Sequence, residues 1–301
     1  MLIRATISSP VIMRSEREMY ALIINTARND ERIRAVILNG SRANPNAPGD
    51  IFQDYDIVYI VSEVSSFRLE SDWIQHFGEI MIMQMPDEML DPPPDDDDGF
   101  TYLMQFTDGN RIDLNLYPLA KLSELERDSL SVVLLDKDGI LEPFAPASES
   151  DYLPRPPTFK EYADCCNEFW WVCPYVAKGL WRAEIIYARC LLDQIAREQL
   201  MKMLAWYIGV KTHFLRNPGK FGKYFQQYLE PELWDMLQRT YAVASYDHTW
   251  EALFTMGDLF RLAAVEVAEH FDYDYPHGDD QRVSAHLRRV HFLPRDAQEM
   301  Y

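Results

Sequence analysis

Several features common in proteins are missing from this 301-residue chain. No apolar run approaches the about 18–20 residues that a membrane-crossing helix needs. The first eight residues lack the long apolar core and cleavage signal of a secretory peptide, so a cytoplasmic location is expected. Basic residues are in deficit: 29 Lys and Arg face 48 Asp and Glu, for a formal net charge of −19. Nucleic-acid binders need a basic patch or stripe, so no nucleic-acid partner is expected. A small polycation would instead be drawn to such a surface, although solubility alone is a competing reason for the acidity. Cysteine is sparse. Cys165, Cys166, Cys173 and Cys190 fall in one helical stretch without a Cys-x-x-Cys pair, which argues against zinc and for reduced core thiols. No internal repeat is present, and the length suits two domains or one large one.

Against this background three acidic positions stand out. Gly40-Ser41 closes the apolar run 35–38, Asp54-x-Asp56 opens a second apolar run, and Asp113 lies inside a third, alternating one. Side chains alternate across a strand, so Asp54 and Asp56 point to one face, about 6.5–7 Å apart along the chain. Carboxylates that close repel each other, and a hard cation relieves the repulsion. Mg²⁺ takes oxygen ligands at about 2.0–2.1 Å and completes its shell with water and substrate phosphates. A third carboxylate on a neighbouring strand can bind a second ion or take the proton of an attacking hydroxyl. Phosphoryl-type transfer asks a protein for little more: positioning, neutralised charge and an in-line nucleophile. The small residue at Gly40 lets backbone N–H groups approach phosphate oxygens. The bland alternative is that these aspartates are solvated residues at strand edges and turns.

Ser15 with Glu18 reads as a capping box, opening a helix over 16–27. Strands are expected near 34–38, 56–62, 79–85, 101–107, 111–117 and 132–135, with a helix over 70–77. Asp108-Gly109-Asn110 marks a hairpin turn that puts Asp113 on its second arm. The proline- and aspartate-rich tract 91–98 cannot pack and reads as a solvated loop. Pro154-Arg155-Pro156-Pro157 looks like a domain boundary. Beyond it the period turns helical, with helices expected over 159–171, 176–205, 231–241 and 248–271 and a shorter one around Phe225 to Leu229.

The chain resembles the streptomycin 6-adenylyltransferases, a branch of the aminoglycoside nucleotidyltransferases. The resemblance runs over nearly the whole length from Met13 and is carried by long strings. Among them are Arg32-Ile33-Arg34-Ala35-Val36-Ile37-Leu38-Asn39-Gly40-Ser41-Arg42, Asp50-Ile51-Phe52-Gln53-Asp54-Tyr55-Asp56-Ile57-Val58-Tyr59 and Lys178-Gly179-Leu180-Trp181-Arg182. It implies an α+β chain: a nucleotidyltransferase-type mixed sheet with helices over 13–153, then a helical bundle over 154–301. Residues 1–12 would be an N-terminal extension, since Met13 would serve as an initiator. The implied reaction moves AMP from ATP to the 6-hydroxyl of streptomycin, releases pyrophosphate and inactivates the antibiotic. ATP and aminoglycoside would meet between the two domains, in a chain for which a monomer is favoured.

The resemblance also distributes roles. Asp54 and Asp56 would bind Mg²⁺ on the ATP phosphates, and Asp113 would act as base, join the metal shell, or both. Gly40 and Ser41 would hold phosphates through backbone N–H and hydroxyl groups, with Arg42 pairing to phosphate. Lys178 and Arg182, four apart on a helix, would reach the triphosphate, or are plain surface cations. Glu184 is a carboxylate clamp for the cationic acceptor, or an alternative base. Trp181 would stack on a guanidinium unless it is a core residue. Lys220, Lys223 and Asp193 are weaker candidates. Two other readings remain open: the same chemistry on a different acceptor, and a non-catalytic, antitoxin-like nucleotide-binding protein.

Overall fold

The computed structural model describes residues 12–92, 95 and 98–300. The expected extension over 1–12 therefore lies, but for Ile12, outside the described residues. Residues 93, 94, 96 and 97 of the acidic tract lie outside them too, while Asp98 pairs with Lys121 at 2.5 Å. The chain divides after Asp151 into two compact units.

The first unit opens with α1 (Glu16–Asn29), capped as the sequence predicts. The Ser15 hydroxyl accepts from the Glu18 N–H and the Glu18 carboxylate accepts from the Ser15 N–H. Met19, Ile23 and Ala27 recur at helical spacing and are fully buried. Six strands follow: β1 (Ile33–Asn39), β2 (Tyr55–Val61), β3 (Ile80–Gln84), β4 (Phe100–Phe106), β5 (Arg111–Pro118) and β6 (Ser131–Asp136). They form one mixed sheet in the order β3-β4-β5-β2-β1-β6, in which only β2 and β5 run parallel.

Alternation along the two central strands positions everything that matters later. Tyr55, Ile57 and Tyr59 on β2, and Ile112, Leu114 and Leu116 on β5, are buried in the core beneath α1. Asp56 and Val58, and Asp113 and Asn115, take the other face. Each buried aliphatic side chain contributes about 1.5–3 kcal/mol. A one-residue slip would turn Asp56 and Asp113 into the core, so the register is strongly specified. Part of the polar face is covered by the segments after β5 and after β6, where Leu122, Leu125, Ile140 and Phe144 pack on Ala35, Ile37 and Ile60.

Where the sequence predicts one helix over 70–77, the chain makes two short pieces, α2 (Ser65–Leu69) and a 3₁₀ segment, Ser71–Phe77. Glu70 between them has φ −95° and ψ 63°, which no helix tolerates.

The second unit is helical: α3 (Phe159–Trp181), α4 (Ile185–Cys190), a π-helical turn (Leu191–Ala196), α5 (Arg197–Lys211), α6 (Phe225–Tyr228), α7 (Pro231–Arg239), α8 (Tyr246–Phe271) and α9 (His277–Phe292). Thr158 and Glu161 form a second capping box. The single helix expected over 176–205 is broken at Arg182–Glu184. There the Glu184 N–H reaches the Gly179 carbonyl at 2.8 Å, and the Ala183 N–H reaches Leu180 at 3.2 Å. This is a Schellman stop, with Ala183 at φ 61° where glycine usually sits. Cys165, Cys166 and Cys173 are buried as expected, whereas Cys190 is exposed at the end of α4. Trp170, Trp206 and Trp250 are core, but Trp171 is 62% exposed. Among the described residues no helix is long and apolar enough to cross a membrane.

Candidate active site

Parallel pairing of β2 with β5 sets Asp56 directly opposite Asp113. Register partners in adjacent strands share a face, so both carboxyl groups lie on the side away from α1. Asp54, just ahead of β2, joins them: its carboxylate lies 3.6 Å from Arg111, which also holds Asp113. The aspartates singled out in the sequence are therefore gathered on one side of one sheet.

Their electrostatics follow from crowding. Burial pushes the Asp56 carboxyl up to about 6, and the neighbouring negative charges of Asp113 and Asp54 push the same way, with Arg111 opposing. Asp113 is relieved by a two-pronged pair, accepting from Arg111 Nε at 2.7 Å and from Nη2 at 2.8 Å. Among the described residues no three His, Cys, Asp or Glu side chains converge tightly enough to hold a metal ion. The donor set nevertheless suits a hard divalent cation. It offers only carboxylate oxygens, and Asp56 lies among the negative charges of Asp113 and Asp54.

Gly40 explains why a glycine is needed here. It has φ +72°, and a Cβ on it would overlap Asp56 Oδ2. Its N–H, expected to face phosphate, donates instead to the Leu130 carbonyl at 3.0 Å. Gly40 thus makes room for Asp56, while its own N–H is taken by Leu130. Ser41 follows it in the single 3₁₀ turn Gly40–Arg42.

Arg42 also departs from expectation. Its Nε and Nη2 donate to the carbonyls of Asp54 (3.1 Å) and Gln53 (2.8 Å). Nη1 lies 3.2 Å from Glu16, and the guanidinium sits 3.8 Å over the Tyr55 ring. With its side chain only 8% exposed, Arg42 fixes the loop that presents Asp54.

A streptomycin adenylyltransferase family model matches residues 13–290, well over half the chain. The chain belongs to the streptomycin adenylyltransferase family. Its members are nucleotidyltransferase enzymes. Aminoglycoside 6-adenylyltransferases from three bacteria are similar to it. That of Campylobacter jejuni is 44% identical over 271 residues, covering 89% of this chain and 93% of the relative. That of Bacillus subtilis (strain 168) is 42% identical over 270 residues, covering 89% and 95%. The Staphylococcus aureus protein is 36% identical over 266 residues, covering 88% and 94%. A crystal structure of an aminoglycoside 6-adenyltransferase from Bacillus subtilis matches 93% of this chain and 100% of that one, at 37% identity and a TM-score of 0.46.

The remaining family-suggested residues lie in the helical unit. Lys178, Trp181 and Arg182 line one cavity of about 350 Å³ at the end of α3, together with Tyr175 and His286. Lys178 Nζ is 4.5 Å from the centre of the Tyr175 ring, and the Trp181 indole N–H donates to the Leu293 carbonyl at 3.1 Å. Glu184 is exposed just past that cavity's helix and does not line it. Asp193 is held by Arg189 at 2.8 Å and Arg197 at 3.0 Å, which makes it part of the scaffold. Lys220 and Lys223 lie over their neighbouring rings, Phe221 and Tyr224.

Arg111 is the residue that sequence reasoning passed over. The same period of two that places Asp113 on the polar face places Arg111 there, so the signal was present in the pattern.

Proposed function

We propose that the chain transfers AMP from Mg-ATP to the 6-hydroxyl of streptomycin, releasing pyrophosphate and inactivating the drug in the cytoplasm. The supporting observation is the in-register pair Asp56 and Asp113, with Asp54 beside it, at a turn whose glycine only just clears a carboxylate. Family membership and the names of the relatives support the coarser reading, adenylyl transfer to an aminoglycoside. A divalent cation, when bound, would supply neutralisation of phosphate charge. Asp54 and Asp56 would hold it. Asp113 would take the proton of the accepting hydroxyl or share in the cation shell.

In the remaining assignments, Ser41 binds phosphate through its hydroxyl, and Lys178 and Arg182 bind phosphate oxygens as fixed positive charges. Trp181 and Glu184 take the cationic groups of the acceptor, one by ring face and one by charge. The acidic surface supports a polycationic acceptor, because it raises that ligand's local concentration.

The test is mass spectrometry of streptomycin after incubation with the protein, ATP and Mg²⁺. The expected result is a streptomycin–AMP adduct. An adduct only on another aminoglycoside of a panel would change the acceptor. No adduct on any of them would overturn the reading.

A further inference from the structure

We infer that Arg111 is a built-in counter-ion: in the nucleotide-free chain its guanidinium occupies the cationic position beside Asp113 and Asp54, and it must release them before a divalent cation binds. The inference rests on the proposed reading of these aspartates as a cation site. Three observations support it. Arg111 grips both oxygens of Asp113, at 2.7 and 2.8 Å, so neither faces a cation without competition. The same guanidinium lies 3.6 Å from Asp54, bridging two of the three carboxylates. With Arg111 in this position, the three carboxylates are not gathered tightly enough to form a three-ligand cation site.

A planar guanidinium suits this role because its charge is permanent and its fork matches a carboxylate. The pair is partly exposed, with Arg111 at 39% and Asp113 at 21%, so it is held by geometry more than by burial and can open. Opening would leave the guanidinium in need of another anion. Nucleotide phosphates supply one, so the cation would enter readily only when a nucleotide brings it. Arg111 is thus a positioning residue, which couples cation binding to nucleotide binding and keeps bare cations out.

Mn²⁺ binding to the protein without nucleotide, followed by electron paramagnetic resonance at about pH 8, far above ordinary carboxylate values, tests this. Arg111→Gln should bind Mn²⁺ about tenfold more tightly than the natural protein, equivalent to about 1.4 kcal/mol. Adding Asp113→Asn to that variant should abolish the gain. Arg111→Lys, which keeps the charge and loses the fork, should gain about threefold, and it decides the matter if Arg111→Gln does not fold. Unchanged or weaker Mn²⁺ binding in a folded variant overturns the inference. The measurement uses neither ATP nor acceptor. A gain in Mn²⁺ affinity alongside no AMP transfer to any drug would therefore sink the proposed reaction and leave the role of Arg111 standing. The converse pattern would do the opposite.

Discussion

Single atoms decide whether Asp56 sits where it does. Gly40 leaves no room for a methyl group beside Asp56 Oδ2 and adopts a positive φ that side chains resist. Gly40→Ala should therefore displace the carboxylate, and AMP transfer should fall at least about 10²-fold. Circular dichroism should still report a folded protein. Near-normal turnover would mean that Asp56 tolerates movement. Asp56 also makes a pH prediction. Its carboxyl is raised from 3.8 to about 6, first by burial and then by Asp113 and Asp54, so the folded state binds this proton more tightly than the unfolded chain. Its contribution to stability therefore declines as pH rises from about 4 to about 6 and stays low above that. Without divalent cation, Asp56→Asn should stabilise the protein by about 1–3 kcal/mol at neutral pH and by little near pH 4, measured by thermal melts. Equal melting shifts at both values would contradict the assigned environment.

Strand and helix ends carry the next set of constraints. The β4–β5 turn is tied to the start of α1 by Asp108. Its carboxylate accepts from Arg14 Nε at 2.5 Å, from the Asn110 N–H at 3.1 Å and from Asn110 Nδ2 at 3.1 Å. Burial raises its proton affinity, but these bonds outweigh burial and hold the carboxyl well below its ordinary value. A depressed value means stability that is present above about pH 4 and lost as pH falls below it. Asp108→Asn should cost about 2–3 kcal/mol at pH 7 by urea unfolding, and far less in acid. A cost under about 0.5 kcal/mol would show the tie to be idle. Elements with strong local signals were readable in the sequence: the capping box at Ser15 and the alternating run that carries Asp113. Those without such signals were not. The stop after α3 uses Ala183 where the usual marker is glycine. Helix α9 was missed because its apolar stripe is thin. A buried Asp280, paired with Arg261, takes one of its inward positions.

Over the whole chain, the excess of acid is the property no local motif explains. A net charge of −19 should speed and strengthen encounter with a polycationic acceptor, and salt should weaken both. Raising ionic strength from about 0.05 to 0.5 M should raise the KM for streptomycin several-fold. The KM for ATP should rise less. Equal shifts for both would indicate a general salt effect with no steering. The sheet and the carboxylates that share its face were legible in the sequence, because β-alternation is a local rule. Bonds from a side chain to the backbone of a later loop, such as Arg42 to the Gln53 and Asp54 carbonyls, appear only once the chain is folded.

The most direct test is single-turnover AMP transfer to streptomycin by Asp56→Asn, run beside a thermal melt of the same sample. A reaction centred on the Asp56 and Asp113 pair requires transfer at least about 10²-fold slower, with a melting temperature equal to or above that of the natural protein. Transfer within about threefold of the natural rate, in an equally stable variant, would place the chemistry elsewhere.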